Sequence, residues 1–163
     1  MANITFDKHE KVLSMIFVRV VTGIKNHWHI RSSEWLMIYP SVGIGTILLY
    51  QPDMFTMSST FNAVAEWMTQ PQWSLFILIC ALIRLIALTV NGTFASFRYS
   101  PHLRLIAALS GVFFWSQYSL GVTTSAVFDN GAWSAPVMYS TMCLAELLNI
   151  YRTWVDVMRS RAK

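Results

Sequence analysis

Charge is scarce in this chain. Only 12% of its 163 residues are Asp, Glu, Lys or Arg, whereas about a quarter is usual in a soluble domain. Hydrophobic residues make up 55% of the chain. The net charge of +4 does not come from a Lys/Arg-rich tract, so the sequence predicts no nucleic-acid partner. The length allows one membrane domain and no second globular domain.

The usual signatures of catalysis and cofactor binding are also absent. The sequence has no phosphate-binding glycine loop, no nucleophile elbow and no metalloprotease motif. It has only two cysteines, Cys80 and Cys143, and no Cys-x-x-Cys spacing. Both cysteines lie in apolar stretches, which favours free thiols over a disulfide. We therefore predict that the chain is not an enzyme, has no catalytic residue and needs no metal or cofactor.

Long apolar stretches are what the sequence has instead. Four are readable, at about 34–51, 73–91, 103–128 and 133–154, and each has the roughly 18–26 residues needed to cross a hydrocarbon core of ~30 Å. They predict an all-α, polytopic membrane protein with a four-transmembrane-helix bundle at 33–156. Residues 1–32 form a cytoplasmic border segment with an amphipathic N-terminal helix, and residues 157–163 form a basic cytoplasmic tail.

The basic residues alternate with these stretches. They lie before the first, between the second and third, and after the fourth, whereas the connections at about 52–72 and 129–132 contain none. Because positive charge favours the cytoplasmic side, this pattern predicts both termini in the cytoplasm of a bacterial inner membrane. The residues expected to set this topology and to meet lipid headgroups are Lys8, Lys11, Arg19, Lys25, Arg31, Arg98, Arg104, Arg159 and Arg161.

Two charges fall deep inside the apolar stretches, well away from their ends. Arg84 and Glu146 each lie about 10–12 Å from the cytoplasmic end of their helices, counted by helical rise. An unpaired charge at that depth costs at least ~2.5 kcal/mol. Equal depth therefore predicts an intramembrane ion pair that clamps two helices. Snorkelling of Arg84, or a proton or ion path through the pair, are the alternatives.

Small residues mark one surface of the first stretch. Ser41, Gly43 and Gly45 would let another helix approach closely, since helices in lipid meet through small side chains. We predict that this helix-packing face contacts another chain, either a second copy or a larger membrane protein. A short helix at about 61–69 is expected to lie on the outer membrane surface.

Three histidines allow a further alternative. His27, His29 and His102 all lie at the predicted cytoplasmic border, so a metal or haem site there is geometrically allowed. Packing at the membrane interface and contact with headgroups is the preferred interpretation.

One part of the sequence resembles small uncharacterised polytopic membrane proteins of tailed bacteriophages and prophages. The likeness covers about 73–152 and rests on Arg84-Leu85, Ala87-Leu88, Val90-Asn91-Gly92, Ser100-Pro101-His102-Leu103-Arg104 and Phe114-Trp115-Ser116-Gln117. The resemblance implies a bacterial or phage inner-membrane setting and carries no active site.

Three functions are consistent with these features, and the first two of them need no cofactor. The first is a phage-type or bacterial inner-membrane protein that self-associates or modifies the host membrane, including as a holin-like pore. The second is an accessory subunit packing on a larger membrane complex. The third is a small transporter or haem-binding electron carrier. The expected partners are the lipid bilayer and either itself or a larger membrane protein.

Overall fold

The computed structural model describes residues 14–18, 21–22, 25, 28–29, 31–93 and 99–161, with side chains described up to 90 and from 99 to 159. Every regular element in these ranges is helical, as the all-α prediction requires. The described residues of the predicted N-terminal helix are helical too. The helices are α1 Ile38–Tyr50, α2 Met54–Met57, α3 Asn62–Ala65, α4 Gln70–Thr93, α5 Ser100–Phe128 and α6 Ser134–Arg161, with a 3-10 turn Ser59–Phe61 before α3.

The first apolar stretch is not one regular helix. Residues 31–36 are helical, Met37 is a turn, and α1 then runs for 13 residues. Pro40 explains the interruption, because proline has no N–H to donate to the carbonyl of Leu36 one turn earlier. The backbone N–H of Met37 still donates to the Ser33 carbonyl at 3.1 Å, so the two pieces follow one path.

Two of the described helices are long and apolar enough to cross a membrane: α4, over Gln70–Val90, and α5. The other two predicted spans differ in character. α1 is too short by itself, and α6 includes Glu146 and Asn149 among its apolar residues. Four membrane spans therefore do not follow from length and composition.

α4 and α5 pack through aromatic side chains. The ring of Trp73 on α4 lies 5.5 Å from Phe114 and 5.1 Å from Tyr118, both edge-on. Phe114 and Tyr118 stack at 4.6 Å along α5. All three are essentially without exposed surface, and Trp115 next to them is 1% exposed, so this contact is the centre of the core.

The connection between α1 and α4 folds over the end of the bundle. Phe55, Phe61 and Val64 are buried there, and Trp73 Nε1 donates to the Val64 carbonyl at 3.1 Å. The expected helix at 61–69 is wrong in extent, because a 3-10 turn and the four-residue α3 replace it. The buried face of this connection packs on protein, with Val64 over Gly121 of α5.

α5 and α6 form an antiparallel hairpin through a tight turn. Asn130 takes a positive φ of 55°, a conformation that Asn tolerates better than most residues. The Asp129 and Gly131 N–H groups both donate to the Ser125 carbonyl at 2.9 Å, which completes the end of α5.

Candidate functional site

Arg84 and Glu146 are in contact inside the bundle. Arg84 is 5% exposed and Glu146 is 0% exposed. Arg84 Nη1 lies 2.6 Å from Glu146 Oε1, and Arg84 Nη2 donates to Glu146 Oε2 at 2.6 Å. Arg84 Nη2 also donates to the Ala107 carbonyl of α5 at 3.1 Å. Because charge-assisted paired bonds are the strong ones, the contact ties α4, α5 and α6 at one level.

Gly111 of α5 makes this contact possible. A Cβ at that position would meet the Glu146 carboxylate and would lie 3.1 Å from Arg84 Nη2. Beside the pair is a small cavity of about 10 Å³, whose lining includes Ser41, Cys80 and Trp115. That is about the volume one water needs. Among the described residues, Trp115 Nε1 and Tyr118 Oη are buried polar atoms without a hydrogen-bond partner.

A chain of hydrogen bonds leads from this pair toward the end of the bundle. Asn149 Nδ2 donates to Glu146 Oε2 at 3.1 Å. Ser33 Oγ donates to Asn149 Oδ1 at 2.7 Å, and Arg152 Nη1 donates to Ser33 Oγ at 2.8 Å. The buried carboxylate is thus connected to an exposed arginine through two neutral side chains.

A second ionic cluster lies at that same end of the bundle. Arg104 is 3% exposed and makes two contacts with Glu34, of which Nε to Oε2 is 2.8 Å and the other joins Nη2 to Oε1. Its Nη1 lies 2.8 Å from Asp156 Oδ2. Glu34 is itself 4% exposed. Arg104 therefore links the segment before α1 with α5 and α6.

The expectation that Arg104 meets lipid headgroups is wrong. Two carboxylates from other helices hold it inside the protein, and its charge is neutralised there. Arg31 is half-buried beside the same cluster. This cluster was missed at the sequence level. The one signal for it is that Glu34, Arg104 and Asp156 all lie within two residues of the predicted cytoplasmic ends of their stretches.

The remaining topology residues fall into two groups. Lys25 and Arg159 are described and exposed, as headgroup contact requires. The others lie outside the described residues, or have side chains outside them: Lys8, Lys11, Arg19, Arg98 and Arg161. His27 lies outside as well.

The small-residue face of the first stretch is divided between two environments. Ser41 and Gly45 are buried, and a Cβ on Gly45 would lie 2.6 Å from Leu78 Cγ of α4. Ser74 Oγ donates to the Gly45 carbonyl at 2.7 Å. Contact of these two residues with another chain is therefore wrong, because α4 of the same chain already occupies them. Gly43 differs, since nothing lies within 4 Å of a Cβ built there.

The chemistry of this site is electrostatic and structural. Cys80 and Cys143 are free thiols, as expected. Within the described part of the chain, no group of three His, Cys, Asp or Glu side chains could hold a metal ion. Each ionic cluster sets arginine against carboxylates from other helices, which fixes helices relative to one another. Comparison of the chain with protein-family models, with curated proteins and with solved structures finds no match.

Proposed function

We propose that the chain is a non-enzymatic inner-membrane protein of bacterial or phage type, with four spans and both termini in the cytoplasm. It acts by associating with copies of itself in the bilayer, and a holin-like pore is one form that such an assembly takes. A larger membrane protein is the alternative partner.

The observation that supports this proposal is that apolar side chains are exposed on the surface of the bundle, whereas charged side chains are buried inside it. Leu75, Leu120 and Leu144 are each more than 60% exposed, whereas the charged Arg84, Arg104 and Glu146 are at most 5% exposed. A protein folded in water hides leucine and leaves charge outside. A protein folded in lipid needs the opposite, because hydrocarbon solvates apolar side chains and not charges.

Two features reconcile α1 and α6 with a membrane setting. The helical residues 31–36 extend α1, so that 31–50 would measure about 30 Å along a helix. α6 carries Glu146, but Arg84 neutralises it within the bundle. Pairing removes most of the cost of a buried charge at that depth. These features support four spans together with the two apolar helices α4 and α5.

The topology is tested with single cysteines in a chain carrying Cys80→Ala and Cys143→Ala. Ser59→Cys and Ser32→Cys are exposed positions at opposite ends of the bundle. In intact bacterial cells, an impermeant maleimide should label Ser59→Cys and should label Ser32→Cys only after permeabilisation. Labelling of Ser32→Cys alone would reverse the orientation, and recovery of the chain in the soluble fraction would reject the membrane proposal.

Association is tested with two lipid-facing positions of equal exposure. Leu144 on α6 is 61% exposed and Leu75 on α4 is 62% exposed. We expect Leu144→Cys to form disulfide-linked dimers in membranes, because the outer face of the α5–α6 hairpin is broad and apolar. Leu75→Cys serves as the matched control and should crosslink less. A monomeric native mass in mild detergent, with no crosslink at either position, would contradict self-association.

A further inference from the structure

The four long helical segments do not close into a complete ring. α1 packs on α4, α4 on α5 and α5 on α6, but no comparable packing joins α1 to α6 among the described residues. A groove of about 500 Å³ runs along this seam. Trp115 contributes to its lining, and its sides include Gly43, Ile47, Met138 and Met142. No charged residue lines it.

The groove opens into a polar mouth at the end of the bundle that carries Arg104 and Glu34. This second pocket, of about 570 Å³, is lined by Trp28, Ser32, Ser33, Trp35 and Arg152. Both pockets are also lined by Leu36 and Tyr39, so they form one continuous surface. No acidic side chain lines either pocket, and Arg152 therefore gives the mouth a positive charge.

The lining of the groove favours a hydrocarbon chain as its occupant. Its side chains are almost all apolar and none is charged, and a hydrocarbon chain is thin enough to follow the seam along its length.

We propose that this seam binds one phospholipid with an anionic headgroup. The phosphate contacts Arg152 and the Ser32 hydroxyl at the mouth, since guanidinium groups pair well with phosphate oxygens. One acyl chain lies along the groove past Gly43, between α1 and α6. Trp28 and Trp35, whose rings stack at 6.3 Å, stand at the headgroup level, where tryptophan is favoured. This inference rests on the membrane orientation proposed above.

Two variants distinguish the contribution of the headgroup to lipid binding from that of the acyl chain. Gly43→Leu adds an apolar side chain at the wall of the groove, where nothing lies within 4 Å of the new Cβ. Arg152→Gln removes the charge at the mouth. Thr124→Leu, on an exposed position of α5, and Arg159→Gln, an exposed cation outside the pocket, are the matched controls.

The experiment is native mass spectrometry of the delipidated chain with added phosphatidylglycerol or phosphatidylcholine. We expect one bound phosphatidylglycerol, loss of both lipids in Gly43→Leu, and about a tenfold weaker preference for phosphatidylglycerol in Arg152→Gln. Soluble glycerol phosphate should not bind, because it has no acyl chain. The control variants should bind as the parent chain does.

Three results would overturn the proposal. They are lipid binding unchanged in Gly43→Leu, equal effects of Arg152→Gln and Arg159→Gln, or loss of a dimer in Gly43→Leu with no lipid bound to the parent. Failure here is distinct from failure of the membrane assignment, since cysteine labelling and membrane fractionation would still place the chain in the bilayer.

Discussion

Glu146 has no exposed surface, and its charge depends on a few individual partners. Arg84 faces it with two nitrogens, and Asn149 donates a further hydrogen bond. Removal of either charged partner leaves the other ion buried and unpaired, which is far more costly than removal of both. The pair therefore specifies how α4 and α6 meet, and its effect can be measured by substitution.

Arg84→Ala and Glu146→Ala should each lower the free energy of unfolding in detergent by about 3–5 kcal/mol. The double variant Arg84→Leu with Glu146→Leu should recover much of that loss, because no buried charge remains. Equilibrium unfolding of all three variants measures the coupling. If the double variant loses as much as the two single variants added together, the two side chains do not act as a pair.

Gly111→Ala should disturb the same contact from the side of α5. Its Cβ would collide with the Glu146 carboxylate, and overpacking of this kind costs about 1–3 kcal/mol. Gly43→Ala is the matched control, since it adds the same methyl group in open space and should leave the thermal midpoint unchanged or slightly raised. Equal midpoints for the two variants would contradict the placement of Glu146.

The two ionic clusters differ in how far sequence alone could place them. The depths of Arg84 and Glu146 follow from counting residues along apolar helices. Two opposite charges at one depth have few ways to be neutralised other than by pairing with each other. Arg104 and Glu34 lie at helix ends, where a charge is ordinary and contact with headgroups explains it equally well. Their pairing depends on the relative rotation of helices, which residue counting does not give.

At the scale of elements, one side chain makes three hydrogen bonds to the backbone at the start of the connection between α1 and α4. Gln70 Nε2 donates to the Leu48 carbonyl at 2.8 Å and to the Gln51 carbonyl, and Gln70 Oε1 accepts from the Phe55 N–H at 3.0 Å. Gln70 is 5% exposed. It thereby satisfies the end of α1 and the start of α2 from the first turn of α4.

Gln70→Leu should therefore loosen the whole connection. It leaves buried backbone groups unpaired, which costs about 1–3 kcal/mol, and should speed hydrogen exchange across residues 52–65. Gln72→Leu is the control, because the exposed Gln72 bonds only the nearby Thr69 N–H. Exchange rates that rise equally in both variants would show that Gln70 does not anchor the connection.

Sequence predicted the long helices better than this connection. Apolar runs place the ends of α4 and α5 to within three residues, whereas α6 continues to Arg161, seven residues past its predicted end at about 154. The connection carries no comparable signal, because its short helices are shaped by what they cover. Phe61 and Val64 fit the apolar face of the predicted surface helix at about 61–69, but both are buried in the protein, with Val64 packed over Gly121.

For the whole molecule, we expect the two ionic clusters to make stability insensitive to ionic strength. The contacts of Arg84 and Arg104 are buried, and buried pairs are screened much less than exposed ones. We expect the thermal midpoint in a nonionic detergent to stay constant from about 0.1 to 1 M NaCl, although the Debye length falls from about 10 to 3 Å. A midpoint that drops steeply with salt would mean that water reaches these pairs.

The two members of each ion pair are also synthesised at different times. Arg84 precedes Glu146 by 62 residues, and Glu34 precedes Arg104 by 70. At about 5–20 residues per second, each first member waits roughly 3–14 s for its counter-ion. In the proposed membrane setting, α4 holds an unmatched cation during that interval, until α6 emerges from the ribosome and supplies Glu146.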